Sequence, residues 1–534
     1  MKKIKVWIPV LFAMVMIVGM LIGYRLYENT NTKGFFKTRK LNRVQEVVDL
    51  VSMKYVDAVD TDSLGEEAIQ GVLSHLDPHS YFIPAVDREE MNEDLKGNFE
   101  GIGIEFQIID DTVNATYILP NGPSDKAGLK IGDKFIRVND SVVAGNGINS
   151  ERIKKFLRGP GASNVNITLL RDNKIMQFPI TRGTIPLPAL DASYMLDKET
   201  GYIRINKFSR TTYGEFLQAM EKLQQQGLQR LVLDLRGNGG GIVDQAVDIA
   251  DEFLDNDKLI VYTEGRKSPR REYRAQKPGL FEKGKLILLV DEGTASASEI
   301  LTGALQDWDR ATIMGRRTFG KGLVQEPFQL TDGSELRLTI ARYYTPIGRS
   351  IQKPYNKGRD IYNEEVIERY HNGEVLHGDT TVNHTGPVFK TKGGRIVYGG
   401  GGIAPDIFVG LDTNNTSKSI TSLYINGTLN SFIYTYYMGH ISNFHQFKDP
   451  ADFAASFHDE EKVWNNLIEY AAKDTINIRT ISPHDKSILQ SRIKSLFARL
   501  IWRTEGYFVI SNSNDPVIKK AMEEMDGKIE MPAK

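Results

Sequence analysis

The chain has no cysteine. Disulfides, thiolate nucleophiles, cysteine-based zinc sites and a lipid-modified N-terminal cysteine are therefore excluded. The redox compartment stays open, because a cysteine-free protein suits oxidising and reducing spaces equally. Excess charge is also lacking: 67 Lys and Arg stand against 68 Asp and Glu, a net charge of −1. A nucleic-acid partner would usually leave a basic excess, so none is expected. Histidine is sparse, and His371, His377 and His384 recur without metal-ligand spacing, so no metal site is read there.

What is present reads as ordinary globular protein, 40% hydrophobic and 25% charged. A length of 534 residues exceeds one ordinary core and predicts two to four domains. MKKIK, in residues 1–6, precedes WIPVLFAMVMIVGMLIGY at 7–24, which is uncharged and mostly apolar. At ~1.5 Å per residue this run spans roughly 27 Å, close to the ~30 Å hydrocarbon core of a bilayer. Lys2, Lys3 and Lys5 favour a cytoplasmic N-terminus with the bulk of the chain exported. The expectation is a single-pass anchor in a bacterial inner membrane with the bulk of the chain in the periplasm. A cleaved signal peptide, releasing the chain to the periplasm, is the competing reading.

Residues 25–97 form the next segment, helical over 40–82 from the spacing of Val44, Val47, Val48 and Val51 and then Ile69, Val72 and Leu73. LDPHSYFIP at 76–84 closes it with two prolines. Residues 98–185 switch to short alternating runs broken by Gly and Asp, as in a small β-rich module. GIGIEF at 101–106 enters a strand from a glycine-containing loop that can aim backbone N–H groups at a terminal carboxylate. With GPSDKAGLKIGDKFIRVND at 122–140, this module resembles a PDZ domain, Ala127-Gly128-Leu129 opening a short helix. The resemblance implies peptide binding by Gly101, Ile102, Gly103 and Ile104.

From Gly201 strands and helices alternate, which predicts an α/β core with a largely parallel sheet and a site at the strands' carboxyl ends. Two loops stand out there, GNGGG at 237–241 and GTAS at 293–296. A serine at a sharp strand-to-helix turn has its hydroxyl at the sheet edge, beside an unpaired N–H and the positive end of a helix. Those are the parts of an acyl-transfer site, although a plain N-cap or a phosphate loop would look similar. GNGGG lacks both the P-loop ending and the dinucleotide spacing. Lys321, between Gly320 and Gly322, can serve as base only if burial lowers its pKa.

LVLDLRGNGGG, VDEGTASASEILTGALQD, GRRTFGKGLVQ, LRLTIARYYTPIGRSIQ and GGGGIAPDI follow one another in order. Together with the β-rich module and the segment at 40–82, this combination resembles the carboxyl-terminal processing (tail-specific) serine peptidases over roughly residues 40–410. The resemblance implies a crotonase-like or ClpP-like α/β core over 186–411 and a Ser–Lys dyad. The nucleophile then falls on Ser296, the base on Lys321, 321 − 296 = 25 positions later, and the lysine-orienting glutamine on Gln325. The oxyanion donors fall on the N–H groups of Ala297 and Gly241, with Gly240 as the alternative. Ser298 and Glu299 would already lie in the helix, Glu299 favourable to its dipole. The implied enzyme is an endopeptidase for protein substrates held by their C-termini, needing no metal or organic cofactor. Two other readings are an inactive PDZ scaffold and a Ser–His hydrolase drawing on His75, His79 or His371.

Residues 353–398 are polar and Gly-rich and read as a hairpin insertion. Residues 412–534 read as a helical C-terminal region. There SPHDKSILQSRIKSLFARLIW starts a helix at Ser482-Pro483, with Ile488, Ile493, Leu496, Phe497 and Leu500 on one face. Such faces serve a local core or, as a second possibility, a homo-oligomer.

Overall fold

The structure, a computed structural model, describes residues 12–21, 42–378, 386–411 and 417–528. The chain divides into two compact units, Met1–Leu76 and Asp77–Lys534. In the first, residues 12–21 are helical, and the helices Asn42–Lys54 and Thr61–Leu73 pack together. Asp60 caps the second helix, its carboxylate accepting the Asp62 N–H and the Ser63 hydroxyl. No helix among the described residues is long and apolar enough to cross a membrane. The ends of the expected anchor at 7–24 lie outside the described residues.

The second unit is organised on a six-stranded sheet. Its order is Leu190–Met195, Thr200–Ile205, Arg230–Asp234, Lys285–Val290, Thr312–Gly315 and Ile407–Phe408. Every neighbouring pair is parallel except the first. Strands covered on both faces read as near-continuous apolar runs, and LILLV in the centre of this sheet is fully buried. One face, through Ile203, Leu231, Leu233, Leu286 and Leu288, meets the helices Thr212–Gln225, Val243–Asp251 and Ala297–Asp307. The alternate residues Tyr202, Val232, Ile287, Leu289 and Met314 face the other way, against Val517, Ile518, Ala521 and Met525. The C-terminal region read as 412–534 thus divides: the helix Pro516–Met525 completes the core, while Ile420 to Ile510 build a cluster of their own.

An antiparallel sheet flanks this core. Tyr81–Ile83, Glu335–Tyr344, Leu259–Glu264 and Arg271–Arg274 lie in that order, and Leu323–Gln329 also pairs with Glu335–Tyr344. Tyr81–Ile83 comes from LDPHSYFIP, so that segment is an edge strand rather than only a helix stop. The stretch 353–398 carries helices at Arg359–His371 and Glu374–His377 before its hairpin, Val388–Lys390 with Ile396–Tyr398.

The β-rich module has the antiparallel order Ile104–Ile109, Thr112–Ile118, Lys134–Val138, Asn164–Arg171, Lys174–Thr181. It joins the core through a two-stranded ribbon, Asn98–Gly101 against Gly183–Pro186. Its first helix is Pro123–Ala127, so Ala127-Gly128-Leu129 ends that helix and does not open one. Proline at the first turn starts it, and Gly128, at φ +88°, supplies the left-handed cap that stops it.

In the C-terminal cluster, Ser482 caps the helix Pro483–Asn512. Leu489, Ile493 and Phe497 are buried, whereas Ile488 is half exposed because Leu489 takes the inward position. The helix breaks at Trp502 and Arg503, the latter at φ 63° and ψ −154°. Beyond the break, Glu505 accepts the Ser193 N–H at 3.2 Å and the Phe508 carbonyl accepts the Tyr194 hydroxyl at 3.1 Å.

At the C-terminal end of the helix Ala297–Asp307, Arg349 and Asp307 form a buried ion pair at 2.5 Å, with exposures of 1% and 0%. Removing one charge of such a pair strands the other, at a cost of about 3–5 kcal/mol. Asp307→Asn should therefore lower the thermal unfolding temperature sharply, while Arg349→Leu with Asp307→Leu should recover much of the loss.

Candidate active site

Ser296 stands where the strand Lys285–Val290 turns into the helix Ala297–Asp307. Its backbone, φ 55° and ψ −114°, lies in a region that non-glycine residues rarely adopt. Such a conformation costs about 1–3 kcal/mol and persists only where its surroundings over-determine it. Here they do. The Ala295 N–H and the Ser298 hydroxyl both donate to the Asn238 carbonyl, at 3.0 and 2.9 Å. The Gly237 N–H donates to Asp291 Oδ1 at 2.8 Å, and the Thr294 hydroxyl donates to the Leu235 carbonyl at 2.9 Å. Ser298 is buried and committed to the glycine loop.

That loop is locked against the turn. A Cβ on Gly240 would lie 2.8 Å from Ser296 Cβ and 2.9 Å from the Ala297 nitrogen, and one on Gly241 would lie 2.1 Å from the Phe208 carbonyl oxygen. The Gly240 N–H is taken by Asn238 Oδ1 at 2.9 Å. Among the described residues, neither the Gly241 N–H nor the Ala297 N–H donates a hydrogen bond. Unpaired backbone donors beside a serine are what an acyl-transfer reaction would need for a developing oxyanion. Gly240, the alternative donor, is already spent.

Lys321 leads into the strand Leu323–Gln329. Burial lowers the pKa of its ammonium, while the charges of Glu299 and Asp77 pull it back up. Its Nζ has no hydrogen bond or ion pair with any described group, and none joins it to Ser296 Oγ. The two residues are instead joined through their backbones. Glu299, fully buried, accepts the N–H of Ser296 at 2.9 Å and of Lys321 at 2.8 Å on one oxygen. Its other oxygen accepts the Gly320 N–H at 2.8 Å and the Thr318 hydroxyl at 2.5 Å. Burial raises the pKa of this carboxyl, and the four hydrogen bonds oppose that rise. On the carbonyl side, the Tyr343 hydroxyl lies 3.1 Å from the Ser296 oxygen and also donates to the Lys321 oxygen.

Among the described residues no hydrogen bond joins Lys321 to Gln325. Its Nε2 donates to Thr339 Oγ1 at 3.1 Å, and Thr339 donates to Asp77 Oδ1 at 2.9 Å. Asp77 also accepts the Ser80 hydroxyl at 2.6 Å and the His79 N–H at 2.9 Å. Burial raises its pKa, but these hydrogen bonds outweigh that and hold it below the ordinary carboxylate range. His79 is held down to about 4, first by burial and then by the Lys321 charge, and its Nε2 meets the Tyr362 hydroxyl at 2.8 Å. His371 ends the helix Arg359–His371, and His75 belongs to the N-terminal unit. No hydrogen bond joins a described histidine to Ser296. Glu299, Tyr343, Thr339 and Asp77 are the site residues that sequence reasoning missed. The LDPHSYF stretch was the available signal for Asp77.

Gly101, Ile102, Gly103 and Ile104 line a groove of the β-rich module, at the head of the edge strand Ile104–Ile109. No group of acidic or histidine side chains among the described residues is arranged to hold a metal ion.

A strained serine at a strand-to-helix turn, two free N–H groups and a desolvated lysine are the equipment of a serine hydrolase on an α/β sheet. Residues 199–360 match peptidase family S41, residues 24–86 match the activating protease CtpB N-terminal domain, and residues 420–503 match a family of unknown function. A carboxy-terminal-processing protease of Bartonella bacilliformis is 34% identical over 349 residues, 64% of this chain and 79% of that protein. A probable CtpA-like serine protease of Staphylococcus aureus is 34% identical over 331 residues, 61% of this chain and 66% of its own. Among solved structures, a photosystem II D1 C-terminal processing protease is 29% identical, with 58% of this chain and 84% of that one covered and a TM-score of 0.34. The chain belongs to peptidase family S41, among the carboxy-terminal-processing serine proteases.

Glu299→Gln offers one acceptor oxygen where two are filled, and turns an amide toward N–H donors. Each stranded donor costs about 1–3 kcal/mol. The variant should fold with a lowered unfolding temperature and lose ~10²-fold or more in kcat with little change in KM. Full kcat in a folded Glu299→Gln protein would contradict the role given to this carboxylate.

Proposed function

We propose that the chain is an endopeptidase that captures the C-terminal tail of protein substrates in the groove of its β-rich, PDZ-like module and cleaves them through a Ser296–Lys321 dyad. The observation that carries this reading is the Glu299 carboxylate bonded to the backbone N–H groups of both residues. A neutral Lys321 amine takes the Ser296 proton as Oγ attacks the scissile carbonyl. The Ala297 and Gly241 N–H groups hold the oxyanion. Collapse breaks the C–N bond, the leaving amine takes the proton from Lys321, and an acyl-enzyme forms on Ser296. Water then attacks the ester, giving its proton to Lys321, and Ser296 recovers its own as the new carboxylate leaves. Closure of the Oγ–Nζ contact belongs to the substrate-bound state, since catalytic hydrogen bonds tighten in the Michaelis complex. Gln325 acts at one remove, through Thr339 and Asp77.

The same reading keeps residues 7–24 as an anchor in a bacterial inner membrane, with the peptidase in the periplasm, supported by the apolar run and its flanking lysines. The Ser–His reading is weakened by the engagement of His79 with Tyr362.

Ser296→Ala and Lys321→Ala should each abolish cleavage of a tail-bearing protein substrate while leaving binding of the tail intact. Retained cleavage in either would contradict the dyad. The Asp77 charge raises the Lys321 pKa, so its removal lowers that pKa further and neutralises the base at lower pH. Asp77→Asn should accordingly move the acid limb of the kcat/KM profile to lower pH. A merely structural loss would lower the profile without moving it.

A further inference from the structure

The groove of the β-rich module is not built by that module alone. Its space, about 410 Å³, is bounded by the strand Ile104–Ile109, the helix Ser150–Leu157 and Arg499 of the helix Pro483–Asn512. The C-terminal helix therefore contributes one lining side chain, Arg499, from nearly four hundred residues away in sequence.

Its position there is anchored. One turn after Arg499, Arg503 pairs with Glu105 of the edge strand, and its guanidinium lies 3.6 Å from the centre of the Tyr117 ring. Arg503 also occupies the break in the helix, at φ 63° and ψ −154°. Two residues on, Glu505 ties the chain to Ser193 and Lys222 of the core. The chain is thus pinned at Arg503 and again at Glu505, and Arg499 lies one turn before the first of these anchors.

The charged residues of the groove differ in how far they are committed. Lys154 pairs with Glu151 at 2.9 Å, Arg158 with Glu93 at 2.7 Å, and Glu105 with Arg503. Arg499 has only a 3.9 Å approach to Glu105, and its side chain is 49% exposed. A peptide added beside Ile104–Ile109 presents alternate side chains to opposite faces. Those on the face of Glu105 meet Arg499, whose planar fork matches a carboxylate.

We infer that Arg499 is a specificity-determining residue of the peptide groove, reading an acidic side chain on the captured tail upstream of its terminal carboxylate. The inference rests on the tail-capture reading above. It makes the C-terminal helical region part of substrate recognition, with acidic-tailed proteins as the preferred class.

The test uses the full chain carrying Ser296→Ala and fluorescent tail peptides in which Glu replaces Gln at each upstream position in turn, with free or amidated C-termini. At one position Glu should bind about 5-fold more tightly than Gln, the scale of a partly exposed ion pair. Arg499→Gln should bring that ratio to one, Arg499→Lys should keep part of it, and Arg499→Glu should favour a Lys peptide at the same position. An unfolding curve on each variant separates lost preference from lost fold. Free tails that bind selectively without a Glu preference, or with one that survives Arg499→Gln in a folded protein, overturn the Arg499 assignment alone. Equal binding of free and amidated peptides overturns tail capture itself.

Discussion

Both oxygens of the Glu299 carboxylate are filled, one by the N–H groups of Ser296 and Lys321, the other by Gly320 and the hydroxyl of Thr318. A buried carboxylate is costly unless hydrogen bonds replace its water, and here four donors do so. Because the donors come from two chain segments, neither segment can shift without stranding a buried polar group. Tyr343 repeats the constraint on the carbonyl side of the same two residues. Ser296 and Lys321 are therefore registered through their backbones, and Lys321 Nζ keeps no hydrogen bond or ion pair among the described residues. Without a directly paired carboxylate to stabilise the ammonium, the amine loses its proton more readily, as the proposed base role requires.

Two sheets supply the parts. The parallel sheet delivers Ser296, Gly241 and Ala297 at its carboxyl ends, where unpaired N–H groups and helix N-termini collect. The antiparallel sheet carries Gln325, Thr339 and Tyr343, and Lys321 precedes its strand Leu323–Gln329. Asp77 reaches that sheet because Tyr81–Ile83 forms its edge. The C-terminal region meets both the core and the β-rich module, with Pro516–Met525 against the parallel sheet and Arg503 against the groove strand.

Features that depend on local structure were legible in the sequence. The turn at Ser296 follows from a buried strand running into a helix, and Gly240 and Gly241 from the need for close backbone approach. Lys321 needed the order of several motifs, because nothing local separates it from a solvated lysine. Glu299 was readable as a residue of the first helical turn but not as a clamp, since its partners lie about 20 residues downstream. Asp77 and Thr339 are 262 positions apart, and Arg503 and Glu105 are 398 apart. Periodicity describes which face of an element is buried, not which distant element it meets. For the same reason the split of the C-terminal region between its own core and the underside of the peptidase sheet could not be read from its helical spacing.

The most direct test of the dyad is the rate at which a fluorophosphonate labels the native protein across pH 5 to 10, with the labelled residue located by mass spectrometry. The account predicts label on Ser296, at a rate that rises with pH through a single group titrating below the 10.5 of a free lysine. Label on Ser298, or a pH dependence that is lost in a folded His79→Phe protein, would contradict it.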